Sequence, residues 1–108
     1  MKKLHISIST SKLDESIKDY SKRLGQQPCS FVSDEYALWR TDTLNFSIRR
    51  DKDCSPGMLR HLGWEDDHAL EFGSEIDVNG ITWENFNANQ QADEINELWP
   101  QANYLPAK

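Results

Sequence analysis

Cysteine is scarce in this sequence: Cys29 and Cys54 are the only two among 108 residues. They make no CxxC pair and have no zinc-ligand spacing, which excludes a thiolate zinc site and a dithiol redox motif. Neither lies beside a base that would activate a nucleophile, although the polar, turn-like stretch around Cys54 suits an accessible thiol. No apolar run approaches the ~18 residues that a membrane helix requires. The opening Met1-Lys2-Lys3-Leu4-His5-Ile6-Ser7 lacks a long apolar signal region, so a cytoplasmic chain with reduced thiols is expected. GxGxxG, P-loop lysine, HExxH and GxSxG patterns are all missing, as are tandem repeats and low-complexity tracts. The common dinucleotide, nucleotide-phosphate, zincin and serine-hydrolase signatures are thereby removed.

Positive charge is also short. Lys and Arg number 12 against 18 Asp and Glu, for a formal net charge of −6. The deficit is uneven: residues 1–50 carry nine basic and six acidic side chains (+3), residues 51–108 three and twelve (−9). Such a chain repels phosphates and is a poor general binder of nucleic acid. The split suits surface solubility, or pairing of a basic with an acidic surface between two copies.

Aromatic residues are present in useful number. Four Trp, four Phe and three Tyr, within an apolar fraction of 37%, supply a modest core. The length suits one domain over residues 1–108, since domains commonly run ~100–150 residues.

Alternation in Leu4–Ser9 (LHISIS) predicts a half-buried strand, with Leu4, Ile6 and Ile8 on one face and His5, Ser7 and Ser9 on the other. A helix is expected next, capped by Ser11, with Asp14 and Glu15 in its first turn and Gly25 after its end. Its apolar stripe is Leu13, Ile17, Tyr20 and Leu24. Further strands are expected at Cys29–Ser33, Tyr36–Arg40, Leu44–Arg50 and Met58–Glu65, with a loop at Asp51–Gly57. Glu75–Val78 and Ile81–Phe86 flank Asn79-Gly80, which predicts a hairpin with a two-residue type I′ turn. Asn87, with Gln90 three residues on, predicts a capped second helix ending at Pro100. Its stripe, Ala88, Ala92, Ile95 and Trp99, repeats the spacing of the first helix and suggests two strand–helix openings related by a pseudo-two-fold. The tail from Gln101 is expected to be irregular.

The order strand–helix–strand–strand–strand, the His5-Ile6-Ser7-Ile8 strand and the helix wording DESIKDYSKRLG resemble the vicinal oxygen chelate superfamily, which includes glyoxalase I, bleomycin-resistance proteins and extradiol dioxygenases. Arg60-His61-Leu62-Gly63-Trp64-Glu65 looks like the His-bearing strand that opens that family's second module. The resemblance implies an α+β fold: a βαβββ module over 1–57, followed by an abbreviated second part over 58–108. It further implies a cupped sheet around a divalent metal (zinc, nickel, manganese or iron), with His5 and His61 as ligands. In metal-dependent members a fourth-strand carboxylate completes the set. Here Leu44–Arg50 contains no Asp or Glu.

Glu65, on the face of His61, and Glu84, with Glu71 as a further acid, are the candidates for the missing carboxylate or for a catalytic base. Trp39, Ser47 and Arg49 are candidate ligand-binding residues, suited to an anionic or aromatic small molecule. Three functions remain open. One is a divergent metal-dependent lyase, isomerase or dioxygenase of this group. The second is a metal-free small-molecule-binding protein of the bleomycin-resistance kind. The third is a protein-interaction adaptor using the acidic half. An open sheet edge adds the expectation of a homodimer.

Overall fold

A computed structural model describes residues 1–107. The fold is α+β: a mixed seven-stranded sheet with two helices. The elements run β1 (Lys2–Thr10), α1 (Leu13–Leu24), β2 (Ser30–Val32), β3 (Tyr36–Arg40), β4 (Leu44–Arg50), β5 (Met58–Asp66), β6 (Gly73–Ile76), β7 (Thr82–Phe86) and α2 (Ala88–Leu98). The strand order across the sheet is β2-β3-β4-β1-β5-β7-β6. Among the described residues no helix is long and apolar enough to cross a membrane.

β1 and β5 run antiparallel at the centre of the sheet. β1 is parallel to β4, which pairs antiparallel with β3. β5 is parallel to β7, which pairs antiparallel with β6. The two halves therefore repeat in their strands. They do not repeat in their helices: α1 follows β1 directly, whereas β6 and β7 intervene between β5 and α2. The expected pair of strand–helix openings is thus corrected.

The helices lie on opposite faces. Leu13, Ile17, Tyr20 and Leu24 of α1 pack with Ala37, Trp39, Phe46 and Ile48. Ala92 and Ile95 of α2, with Trp99 and Tyr104, pack on Val32, Tyr36 and Leu38. Because β3 is covered on both sides, Tyr36 to Trp39 are all buried.

Covering by α2 also reverses the usual meaning of alternation in β1. The polar set His5, Ser7 and Ser9 is buried, while Leu4, Ile6 and Ile8 are only half-buried. Polar side chains tolerate this position because they find partners: Ser47 Oγ, for example, donates to Ser7 Oγ at 3.0 Å.

Local signals hold with two corrections. Lys12, not Ser11, occupies the N-cap of α1 and makes no side-chain cap; Thr10 Oγ1 accepts from the Lys12 N–H instead. Gly25 closes α1 at φ 71, as its position implies. At the β6–β7 hairpin only Gly80 has positive φ (80), so the turn is not type I′. The Gly80 N–H donates to Asp77 O, while Asp77 Oδ1 accepts from the N–H groups of Asn79 and Ile81. The acid, rather than Asn79, organises this longer loop. α2 begins with the expected capping box: Asn87 Oδ1 accepts from the Gln90 N–H, and Gln90 Oε1 accepts from the Asn87 N–H, both at 2.8 Å. Beyond Pro100 the tail is pinned, with Tyr104 buried and joined to Asn96 by reciprocal side-chain-to-backbone bonds.

Candidate metal centre

The site lies where β1, β5 and β7 run side by side under α2. Register decides what meets. His5 pairs with Asn45 on one side and Gly63 on the other, and Gly63 in turn pairs with Glu84. One row across the sheet therefore presents an amide, an imidazole, no side chain and a carboxylate. His61, two residues before Gly63, pairs with Ser7 and leans into this row. Gly63 is required there, because a Cβ would collide with the backbone of Glu84. Its lack of a side chain lets β7 approach β5 and carries Glu84 to the histidines.

His5 Nε2 lies 2.9 Å from His61 Nε2, and His61 Nε2 lies 3.0 Å from Glu84 Oε1. Ligand atoms of all three residues fall within 4.8 Å of one another.

The protonation of His5 follows from the groups behind it. Arg40 holds Glu65 in a two-bond fork, Nε to Oε1 and one terminal nitrogen to Oε2, both at 2.8 Å. Burial opposes ionisation of Glu65, but the bonds from Arg40 and Asn45 outweigh it and hold its carboxyl below the usual range. An ionised carboxylate only accepts, so Asn45 must turn its Nδ2 toward Glu65 Oε1, at 2.8 Å. Asn45 Oδ1 then faces His5 Nδ1 at 2.8 Å and accepts its proton. Gln91 fixes the same orientation, accepting from Asn45 Nδ2 and donating to Asn45 Oδ1. With the proton on Nδ1, His5 turns the lone pair of Nε2 into the site. Burial, only partly offset by the Asn45 bond and reinforced by His61, holds the His5 pKa below its ordinary value and keeps the ring neutral.

Two neutral imidazoles and a carboxylate make a borderline donor set, suited to zinc, nickel, manganese or iron. Tetrahedral zinc with ~2.0–2.1 Å bonds separates its ligand atoms by ~3.3 Å. The 2.9 and 3.0 Å separations about His61 open to that value by a few tenths of an ångström, and the His5–Glu84 pair lies within 4.8 Å. His61 Nε2 is within hydrogen-bond reach of both His5 Nε2 and Glu84 Oε1, so it sits between the other two donor atoms. A cation held by these three side chains would keep a further coordination position open, as catalytic zinc sites do and structural ones do not.

The cavity above the three ligands holds about 40 Å³, room for about three waters by the ~10–15 Å³ each one needs. Ser47 and Arg49, both selected from the sequence, line it together with Ser7, Tyr36, Arg60 and Trp99.

Other selected residues lie elsewhere. Trp39 is fully buried on the α1 face with its Nε1–H donated to Gln26 O, so it cannot touch a ligand here. Glu65 is buried and committed to Arg40 and Asn45, which removes it as a base or direct ligand. Glu71 is exposed and outside the cavity. Cys29 and Cys54 are free thiols, neither of them in the site.

Arg40, Gln91 and Arg60 were not selected from the sequence. The only cue to Gln91 was its place one turn into a capped helix, which does not say which side of the sheet that helix covers. No protein-family model matches the chain, and no curated protein matches it significantly.

Proposed function

We propose that this chain is a metal-dependent protein that binds a divalent cation at His5, His61 and Glu84, and that it is a divergent vicinal-oxygen-chelate enzyme acting on a small molecule as a lyase, isomerase or dioxygenase. The observation that carries the reading is the convergence of three ligand atoms, one of them an imidazole nitrogen whose lone pair is fixed inward by the Asn45–Glu65–Arg40 chain. The order β1-α1-β2-β3-β4, with β1 alongside β4, supports the βαβββ assignment for the first half. In that comparison Asn45 takes the place of the fourth-strand carboxylate, and Glu84 supplies the acid from β7 instead.

A bound divalent cation would polarise a substrate carbonyl or stabilise an enediolate. The chain's own residues fix the rest. Asn45 orients His5, α2 lies over the buried His5 end of the ligand row, and Ser7, Ser47 and Tyr36 place hydroxyls at the cavity wall. The small cavity favours this reading over sequestration of a large drug-like ligand, since pockets for such molecules run ~300–1,000 Å³.

The open edge strand β6, with exposed Ile76 and nearby Val78, and the uneven charge of the two halves support a homodimer. The free thiols suit a cytoplasmic location.

Metal analysis by mass spectrometry on untagged protein tests the main reading. Stoichiometric divalent metal is expected, lost in His5→Ala, His61→Ala and Glu84→Gln but retained in Glu71→Gln. Metal that is absent from wild-type protein, and is not taken up from a zinc solution, would refute it. Sedimentation at tens of micromolar showing only monomer would remove the dimer.

A further inference from the structure

We propose that Arg49 and Arg60 form an anion subsite beside the three-ligand centre, and that the small molecule this site takes carries a carboxylate. The proposal rests on the metal-centre reading for what lies beside the subsite, but the subsite itself is built from residues that hold no metal.

Both arginines line the same small cavity as His5, His61 and Glu84. Among the described residues neither forms an ion pair, whereas Arg40 and Arg23 both do. Arg49 is half-buried and its guanidinium lies 5.2 Å over the ring of Trp99. That contact sets the cation over the ring, and among the described residues no side-chain hydrogen bond engages its N–H groups. Arg60 makes one long bond, 3.3 Å to Ser7 Oγ. The two guanidinium charges repel each other across the cavity, which is one reason Arg60 holds its proton less firmly than usual, after burial. Two cations with unused donors, lining one small cavity, are relieved by an anion placed between them.

Charge and size define the class. Arg49 and Arg60 balance Glu84 and Glu94, the acids at the same cavity, so a bound dication leaves a local surplus of about two positive charges that favours an anion. The planar guanidinium fork matches the two oxygens of a carboxylate. A cavity of about 40 Å³ admits a carboxylate head with few further atoms; anything larger must extend out of the mouth. Tyr36 Oη is a further hydroxyl on the wall, able to donate to the same oxygens.

The test is calorimetric titration of acetate, and in parallel of inorganic phosphate, into zinc-loaded and chelator-treated wild type and into Arg60→Gln and Arg49→Lys. Arg60 is at the rim, so its replacement leaves the core untouched; Arg49→Lys keeps the charge and loses the fork. Acetate is expected to bind both forms of the wild type, more tightly when zinc is present, and to weaken about tenfold or more in each variant, the cost of one charge-assisted hydrogen bond. Zinc affinity is expected to hold in Arg49→Lys, which keeps its charge, and to hold or rise in Arg60→Gln, which removes a positive charge from the cavity. Binding of acetate at wild-type strength in both variants would overturn the subsite, as would no acetate binding in either wild-type form. Phosphate binding more tightly than acetate would overturn the carboxylate assignment. If wild type takes up no zinc yet binds acetate in an Arg60-dependent way, the metal reading fails and the anion subsite stands.

Discussion

Replacing Asn45 by leucine tests the chain of bonds that sets the His5 tautomer. Asn45 is fully buried, and its side chain makes bonds to His5 Nδ1, Glu65 Oε1 and both ends of the Gln91 amide. Leucine fills similar space and satisfies none of them. Glu65 keeps its two bonds from Arg40, and His5 Nδ1 keeps a longer 3.2 Å contact with the main-chain carbonyl of residue 45. The Gln91 amide loses both partners.

Two buried polar groups left unsatisfied cost ~1–3 kcal/mol each, so a net loss of about 3 kcal/mol is expected after the gain from the apolar side chain. For a domain of this size that lowers Tm by ~12–24 °C. Loss of the group that orients a metal-bound histidine weakens metal binding by ~10–100-fold. The assay pairs thermal unfolding with zinc titration of the folded variant. Gln91→Leu is the control: it strips two bonds from Asn45 but leaves Asn45 Oδ1 on His5, so it is destabilised while its zinc affinity stays near that of the wild type. A folded Asn45→Leu protein with unchanged zinc affinity would refute the proposed coupling between the network and His5.

Gly63→Ala forces β5 and β7 apart at Glu84 and should cost about 1–3 kcal/mol or more by overpacking against rigid backbone. It should also weaken zinc binding; a urea midpoint and zinc affinity both equal to wild type would contradict the close-approach role. Acid should destabilise the protein in two stages. The folded His5 pKa lies below its ordinary 6.5, so the unfolded chain takes up that proton first and stability begins to fall as pH drops below that value. The folded Glu65 pKa lies below its ordinary 4.5, so the stability it contributes is full above that value and is lost as pH falls through the folded pKa. Urea unfolding between about pH 8 and pH 2 checks this, and His5→Gln should abolish the earlier stage alone. Asn87→Ala, which removes one arm of the α2 capping box, should cost about 0.5–2 kcal/mol, read as a shift in urea midpoint; no shift would mean α2 is held by its packing alone.

Much of the strand and helix order was legible because alternation and capping are local. Leu44–Arg50 keeps the boundaries its pattern implies, and Asn87 with Gln90 makes the expected cap. His5 and His61 were paired through the resemblance of their two strands to the family's His-bearing strands, and the fold brings their Nε2 atoms to 2.9 Å. Glu84 was legible only as a conditional choice. Its approach depends on β7 lying parallel to β5, a pairing set by Gly63 and by chain connection rather than by residues near Glu84. Trp39 was misplaced because Tyr36-Ala37-Leu38-Trp39 is apolar throughout. A strand buried on both faces has no alternation to say which side a given ring takes. Glu65 was misjudged because nothing local reveals that Arg40, twenty-five residues earlier, meets it. The second helix was recognised, but a stripe of Ala92, Ile95 and Trp99 fits either side of a sheet.

That side proves to matter. α2 rests on methyls and rings along its β2–β3 flank, and on its β4 flank the Gln91 amide is bonded to the Asn45 amide. Along the first flank, separation exposes greasy surface to solvent, at a cost that grows with every square ångström. Along the second, water re-forms most of what is broken, so each contact is worth little in net energy although it is strict in direction. The cover over the cup is therefore fastened tightly along one long margin and merely keyed along the other. Its sharpest demand for residue identity falls on the margin that contributes least to its grip.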